Sequence, residues 1–342
     1  DLLNAIEKKG GYKDIPGIAY KDGGGGIRNK PRQLVDDLDT LPFPARDLMP
    51  YSLYSPPPTK RVSTFKTTSL TSARGCPYNC NFCSAHVVWT RRYRYRNPKN
   101  VADEMEQCIT DFNIREFAIT DELFTLKRER TLAFCEEILN RRLNIAWVCM
   151  GRAGQVDEQL LRIMKKAGCK EISFGLESGD EEILSKIIHK KNTLEAARQS
   201  IKLVKKAGIR THASYMIGNI GETVQTVKKT IEFAKELNTD IAAFFIATPL
   251  PGTELYEQAL QLGYIRQGVN WSNFSPLSKD KPVMTLPGLN SDDLIKWHRR
   301  AIWEYYIRPR YLIKKIFGLR SKVDFLNLYN GLRLFFRLEH NR

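Results

Sequence analysis

Three cysteines crowd one octapeptide, Cys76-Pro77-Tyr78-Asn79-Cys80-Asn81-Phe82-Cys83, with three residues between the first two and two between the second and third. Soft thiolates in such a group select zinc or an iron–sulfur cluster. A zinc site of four thiolates would need a second pair, and neither Cys108 nor Cys135 belongs to a C-x-x-C. A ferredoxin cube takes four thiolates. Three on one loop leave one iron without a protein ligand, and an open position is what lets a metal hold a substrate or cofactor. The alternatives are a structural zinc completed by a distant ligand such as His86, or three incidental cysteines.

Such a loop needs a scaffold, and from about Phe65 the chain supplies one. Short apolar stretches alternate with amphipathic ones: strands over 67–73, 117–119, 145–150, 172–175, 209–217 and 241–247, with helices over 101–112, 127–140, 157–167, 194–207, 223–237 and 253–262. Gly168 and Gly208 stand where two of these helices should stop. Regular strand–helix alternation predicts a parallel sheet covered by helices. Eight such units would close a barrel, so six predict an α/β fold with a partial, open (βα)6 TIM-like barrel. Its functional edge is the carboxyl end of the strands, where the cysteine loop falls.

The flanks read differently. Residues 1–60 form an extended lead-in: a short strand at Ile18-Ala19-Tyr20, a turn or loop at Gly23-Gly24-Gly25-Gly26, then the linker signals Leu41-Pro42-Phe43-Pro44 and Pro56-Pro57-Pro58. Residues 61–270 make the core. Residues 271–342 form a helical, basic extension, with helices over 292–306, 311–317 and 325–338 and a break at Pro309.

The triad, with an aromatic before its last cysteine in the loop after the first core strand, resembles the radical S-adenosylmethionine (SAM) superfamily. The likeness runs over roughly residues 15–310 and is greatest to the cobalamin-linked class, which includes methyltransferases and the anaerobic magnesium-protoporphyrin monomethyl ester cyclase type. Ile15-Pro16-Gly17-Ile18-Ala19-Tyr20, Leu38-Asp39-Thr40-Leu41-Pro42-Phe43-Pro44, Thr120-Asp121-Glu122-Leu123-Phe124-Thr125, Phe174-Gly175-Leu176-Glu177-Ser178-Gly179 and Thr248-Pro249-Leu250-Pro251-Gly252-Thr253 carry it.

The resemblance implies a [4Fe–4S] cluster on Cys76, Cys80 and Cys83, with SAM on the open iron. Reductive cleavage of SAM would yield a 5′-deoxyadenosyl radical able to take hydrogen from an unreactive C–H bond. It implies that Phe82 packs beside the cluster and that Asp121 and Glu122 meet the SAM amino group. Arg152 would hold the carboxylate and Glu177 the ribose, with Ser214, Met216 and Gly218 lining the adenine. A small, lipid-like or tetrapyrrole-like substrate is expected, with C-methylation among the outcomes and flavodoxin or ferredoxin as electron donor. Two features depart from the pattern. The loop after the fifth strand reads Gly218-Asn219-Ile220-Gly221-Glu222 where relatives have Gly-x-Pro-Gly-Glu. No Asp-x-His-x-x-Gly cobalamin motif occurs, so cobalamin, if used, is expected on a separate domain or chain.

Composition bounds the rest. A hydrophobic content of 42% with 27% charged residues suits a globular chain. The longest apolar run, near 241–250, is too short to cross a bilayer. The start, Asp1-Leu2-Leu3-Asn4, has neither an initiator Met nor a secretory pattern, as expected of a fragment or processed chain in the cytoplasm. Cys108, Cys135, Cys149 and Cys169 are expected to be buried apolar side chains. Of the net charge of +16, residues 296–342 hold twelve Lys/Arg against three Asp/Glu, a local +9. A second basic knot is Arg91-Arg92-Tyr93-Arg94-Tyr95-Arg96. The knot raises an RNA-modifying alternative, although nucleic acid is not the expected partner. A zinc-stabilised binding module is the non-enzymatic alternative. In the tail, Leu312, Ile313, Ile316 and Phe317 alternate with Lys314, Lys315 and Arg320, and Leu328, Leu332, Phe335 and Phe336 with Arg333 and Arg337. Such helices are expected to pack on their own domain, or else to touch a membrane surface.

Overall fold

The computed structural model describes residues 1–53, 61–275, 281–319 and 321–340. Pro56, Pro57, Pro58 and Arg320 lie outside the described residues, as do the side chains of Ile316, Leu332, Phe335, Phe336 and Arg337. The chain divides into two compact units, residues 1–41 and 42–342.

The first unit holds helix α1 (Leu2–Glu7) and a hairpin of β1 (Ala19–Asp22) and β2 (Gly25–Arg28). The glycine run therefore does form a hairpin turn, with Gly23 and Gly24 at positive φ where glycine carries no steric cost.

The second unit is built on six parallel strands: β3 (Lys66–Leu70), β6 (Ile114–Ile119), β7 (Ala146–Gly151), β8 (Cys169–Glu177), β9 (Arg210–Ile217) and β10 (Ile241–Ile246). Their order across the sheet follows the sequence, β3-β6-β7-β8-β9-β10, and the sheet curls into a partial TIM-like barrel. Two short strands, β4 (Ala73–Arg74) and β5 (Arg94–Tyr95), pair separately and antiparallel. The helices are α2 (Ala85–Trp89), α3 (Pro98–Phe112), α4 (Arg128–Asn140), α5 (Glu158–Lys166), α6 (Leu194–Lys206), α7 (Val224–Leu237), α8 (Glu254–Gln261), α9 (Ser291–Tyr306), α10 (Pro309–Phe317) and α11 (Lys322–His340).

Local chemistry sets the ends of these helices. Asp157, Thr193, Thr223 and Thr253 each accept a first-turn backbone N–H from α5, α6, α7 and α8. Pro309 ends α9's run and opens α10 as its first residue, where a missing N–H is harmless.

Alternation along the strands separates two faces. Phe117, Trp147, Phe174 and Tyr215 are fully buried against the helices. Trp147 meets Phe124 and Phe134 at ring distances of 5.3 and 5.4 Å. Each such side chain contributes roughly 1.5–3 kcal/mol of burial. The other face is small and polar, with Ser69, Ala118, Ser173, Gly175, Ser214 and Ala243 at intermediate or high exposure. It forms a lumen rather than a packed core.

Charges close the amino-terminal end of that lumen. Arg210 Nε donates to Glu171 at 2.5 Å, and His212 Nδ1 lies 3.5 Å from the same carboxylate and 3.2 Å from Ser173 Oγ. Burial opposes the Glu171 charge, yet the His212 hydrogen bond and Arg210 outweigh it and hold the carboxyl below its ordinary range. Arg210 and Asn327 of α11 both donate to the Arg61 carbonyl. On the rim, Arg46 is buried and pairs with Glu104 of α3 at 2.6 Å, and Arg96 pairs with the same carboxylate. That buried pair ties the proline-rich stretch after Pro42 to the barrel.

One element differs from expectation. A strand over 67–73 should run into the cysteine loop, but β3 stops at Leu70 and Ala73 pairs elsewhere. The backbone N–H groups of Ser72 and Ala73 are taken by Asp121, which draws the chain off the sheet. Arg210→Met leaves Glu171 buried without its strongest cation, which costs about 3 kcal/mol or more. Urea unfolding of the variant checks this; a loss below about 1 kcal/mol contradicts the role given to the pair.

Candidate active site

The cysteine loop begins with a clamp. Asp121, at the tip of β6 and without solvent exposure, accepts from Ser72 N (2.6 Å), Ala73 N (2.8 Å) and Ser72 Oγ (2.6 Å). Arg130 of α4 donates to Ser72 Oγ at 2.6 Å and lies 3.8 Å from the Asp121 carboxylate. Burial pushes the Asp121 carboxyl up, against Arg130 and these hydrogen bonds. Gly75 follows at φ +91, and a Cβ there would collide with the Arg92 carbonyl. Only glycine serves at that point, because both the dihedral and the close approach exclude a side chain. Further on, Asn81 is held at both ends: its N–H donates to Ile188 O (3.1 Å) and its carbonyl accepts from Leu255 N (3.0 Å).

Cys76, Cys80 and Cys83 are free thiols at intermediate exposure, whereas Cys108, Cys135, Cys149 and Cys169 are buried as expected. Burial pushes the Cys76 and Cys83 thiols up. The three thiols bear on one another electrostatically. Arg152 and Glu122 act on Cys76, and Glu177 acts on Cys83. Arg152, after β7, lies on Tyr78 of the loop, and Glu122, after β6, is hydrogen-bonded by the Gly75 N–H at the loop's start.

Each expected residue can be placed. Phe82 is half-buried against the core. Asp121 faces inward and its oxygens are engaged by the clamp, so of the acidic pair it is Glu122 that stands beside the thiols. Glu122 is half-buried, its carboxyl raised by burial and opposed by N–H groups of its own residue and of Gly75. Arg152 donates from Nε to Asn192 at 2.7 Å, and its guanidinium lies 3.6 Å from the Tyr78 ring centroid. Its Nη2 is buried without a partner. Glu177 adopts φ +66 at a bulge in β8, and Lys190 donates to it at 2.9 Å. Gly175 has no room for a Cβ beneath the Glu177 carboxylate. Ser214 stands opposite Gly175 and Ala243 on the lumen face, and Met216 opposite Phe245. Gly218, at φ +90, donates to the Glu222 carboxylate at 2.6 Å.

Tyr78, Lys190 and Asn192, which hold Arg152 and Glu177, carried no role in the sequence reading. Tyr78 sits inside the motif, but nothing in a linear sequence shows that Arg152 stacks on it. Lys190 and Asn192 lie in a loop without periodicity, and only the fold brings them to Glu177 and Arg152.

Among the described residues no three His, Cys, Asp or Glu side chains converge as ligands of a single metal ion. Three partly accessible thiols, with a cation and two carboxylates around them, fit a cluster and a zwitterionic ligand. The arginines of the basic knot are not alike in the fold. Arg94 is buried, Arg96 is paired with Glu104 and Arg91 donates to the Tyr78 carbonyl.

The sequence model of the Radical SAM superfamily matches residues 70–234. An uncharacterized methyltransferase of Pyrococcus horikoshii is 33% identical over 317 residues, covering 93% of this chain and 67% of that protein. The anaerobic magnesium-protoporphyrin IX monomethyl ester cyclase of Rubrivivax gelatinosus is 33% identical over 265 residues, covering 75% of this chain and 46% of the cyclase. The chain thus spans about two thirds of the first relative and about half of the second. Among solved structures, the radical SAM methyltransferase TsrM of Kitasatospora setae, with cobalamin and a [4Fe-4S] cluster bound, superposes with a TM-score of 0.66 at 20% identity, covering 90% of this chain and 66% of that one. The cobalamin-dependent SAM radical enzyme OxsB gives 0.68 at 17%, covering 98% and 53%. These two likenesses concern the fold. The chain belongs to the radical SAM superfamily of enzymes, and that membership implies a [4Fe–4S] cluster and SAM.

The loop after β9 yields a pH prediction. Burial pushes the Glu222 carboxyl up to about 7, against the N–H groups of Asn219 and Gly218. Glu222 Oε1 and Asn219 Oδ1 are buried without partners, so a proton on the carboxyl suits the site. A raised folded-state value favours the fold when neutral. Its contribution is complete below about pH 4.5 and is lost as pH rises through about 7. Stability should fall by up to about 3 kcal/mol over that window. Glu222→Gln should flatten the fall, and urea midpoints across pH 5–8 measure it. Parallel profiles for the two proteins contradict the assignment.

Proposed function

We propose that Cys76, Cys80 and Cys83 hold a [4Fe–4S] cluster whose open iron takes SAM, and that the chain turns this pair on a C–H bond of a small, lipid-like or tetrapyrrole-like substrate. What carries the proposal is membership of the superfamily together with the placement of the Arg152 guanidinium, 3.6 Å from the Tyr78 ring centroid, against the loop that bears the three partly exposed thiols. When bound, the cluster supplies the electron that cleaves SAM to methionine and a 5′-deoxyadenosyl radical.

The chain's own residues bind and orient. Glu122 can accept charge-assisted hydrogen bonds from the SAM ammonium, and the fixed guanidinium of Arg152 can meet its carboxylate. Glu177, steadied by Lys190, is suited to ribose hydroxyls. Ser214, Met216 and the Gly218 backbone would line the adenine, with Phe82 beside the cluster. Asp121 is a positioning residue: it sets the loop through Ser72 and Ala73 and touches no ligand. The exposed lumen residues Met150 and Phe245 offer an apolar wall for a substrate.

Methyl transfer through cobalamin is the form of the reaction we favour, with the cobalamin held outside these residues, on a further domain or separate chain. The likeness to methyltransferase and cyclase relatives supports it. Flavodoxin or ferredoxin would deliver the electron in a reducing cytoplasm, where four buried thiols are stable. Residues 61–270 would constitute the catalytic core, with 1–60 leading in and 271–342 appended.

Anaerobic reconstitution with iron and sulfide should yield about four irons per chain, broad visible absorption and SAM-dependent 5′-deoxyadenosine. Cys76→Ser, Cys80→Ser or Cys83→Ser should each abolish all three. Zinc with no iron after anaerobic purification would instead favour the binding-module alternative. Glu122→Gln should weaken SAM binding about tenfold at unchanged thermal stability, whereas Asp121→Asn should lower stability first. Calorimetric titration of SAM together with thermal unfolding separates the two; equal effects of both variants on SAM binding alone would overturn the division of roles.

A further inference from the structure

An amphipathic surface helix normally buries its apolar stripe and turns its charges to water. Helix α10 does the reverse. Its lysines and a tyrosine face the protein. Lys314 Nζ lies 2.8 Å from Asp240 Oδ1 and donates to the Asn238 carbonyl at the end of α7. Tyr311 is buried and donates to the Asp240 carbonyl at 3.0 Å, and Lys315 Nζ is 5.4 Å from the Tyr311 ring centroid. The apolar residues are turned out: Ile313 is 55% exposed and Phe317 81%. Helix α11 continues the pattern. Val323 is buried and Asn327 donates to the Arg61 carbonyl, while Phe325 is 62% exposed and Tyr329 55%. The inverted orientation has a local cause. Asp240 and the carbonyls at the α7 C-terminus attract cations, and that attraction decides which side of α10 docks.

Two facts select the occupant of this outward face. First, although Lys314 and Lys315 turn inward, Arg310, Lys322 and Arg333 of α10 and α11 are exposed, within a segment, 296–342, of net +9. A second copy of the chain would bring the same charge and be repelled. The partner should therefore be anionic as well as apolar. Second, the exposed apolar residues lie on two successive helices and a lipid surface needs no shape complementarity to take them up. No helix among the described residues is long and apolar enough to cross a membrane, so the contact is with a surface.

We propose that α10 and α11 seat the protein on an anionic lipid surface. Ile313, Phe317, Phe325 and Tyr329 enter the headgroup–acyl boundary, and the neighbouring cations meet lipid phosphates. The attachment is independent of the cluster and of SAM, so it can be measured on cluster-free protein and can fail or hold separately from the catalytic proposal.

The test is flotation of the full chain with vesicles of phosphatidylcholine alone or mixed with phosphatidylglycerol. The expected result is binding to the mixed vesicles about tenfold above the neutral ones, weakened by salt. The double variant Ile313→Ser/Phe317→Ser leaves the charge unchanged and should bind about tenfold less. Leu260→Ser, which removes an exposed apolar residue from α8, should bind as the unaltered chain does. Far-UV circular dichroism verifies the fold of each variant; should the double variant misfold, Phe325→Ser/Tyr329→Ser takes its place. Equal binding to both vesicle types, or binding unchanged in the folded double variant, overturns the proposal. So does a dimer in sedimentation velocity that the double variant abolishes, since that would assign the face to a second copy.

Discussion

The site depends on one buried carboxylate. Asp121 leaves the tip of β6 and takes the backbone N–H groups of Ser72 and Ala73, which ends β3 and bends the chain away from the sheet. Arg130 makes the arrangement tolerable by placing a cation beside a carboxylate that water does not reach. Breaking such a buried group typically costs about 3–5 kcal/mol. Asp121 therefore matters to the thiols by deciding where they stand.

The barrel adds a second constraint, the division of the sheet into two faces. Large aromatics from alternate positions seal one face against the helices. The other face carries small and polar residues at intermediate or high exposure. Glu171, Arg210 and His212 close the amino-terminal end of the lumen with charge, while the carboxyl end carries the thiols, Arg152, Glu122 and Glu177. Radical chemistry benefits from such a vessel, since a reactive species in a walled lumen meets the intended C–H bond before it meets water. Fold likeness supports the vessel and leaves its substrate to residues on the loops.

Legibility was uneven, for physical reasons. Six strand–helix units could be read because periodicity of apolar residues is a local property of the chain. The three cysteines could be singled out because their spacing on one loop is written in the sequence. The end of β3 could not, since Asp121 acts on it from 49 positions away. The roles within the Asp121–Glu122 pair were equally hidden. Both follow the end of β6 at Ile119, and which of them turns to Ser72 and Ala73 is decided by the folded chain. The arginines of the basic knot looked alike in the sequence, yet Arg94 is buried and Arg96 is committed to Glu104.

By itself the sequence determined the class of this protein: a three-cysteine motif on a loop after the first of six βα units, together with the motifs at the ends of the later strands, resembles the radical SAM superfamily, to which the chain belongs. Only the tertiary structure decided that Tyr78, Lys190 and Asn192 hold Arg152 and Glu177, and that α10 turns Ile313 and Phe317 outward. The reason is one of range. Periodicity and motif spacing are set by neighbours along the chain, whereas burial, ion pairing and helix orientation are set by what the fold brings alongside, as Asp240 shows by drawing Lys314 inward.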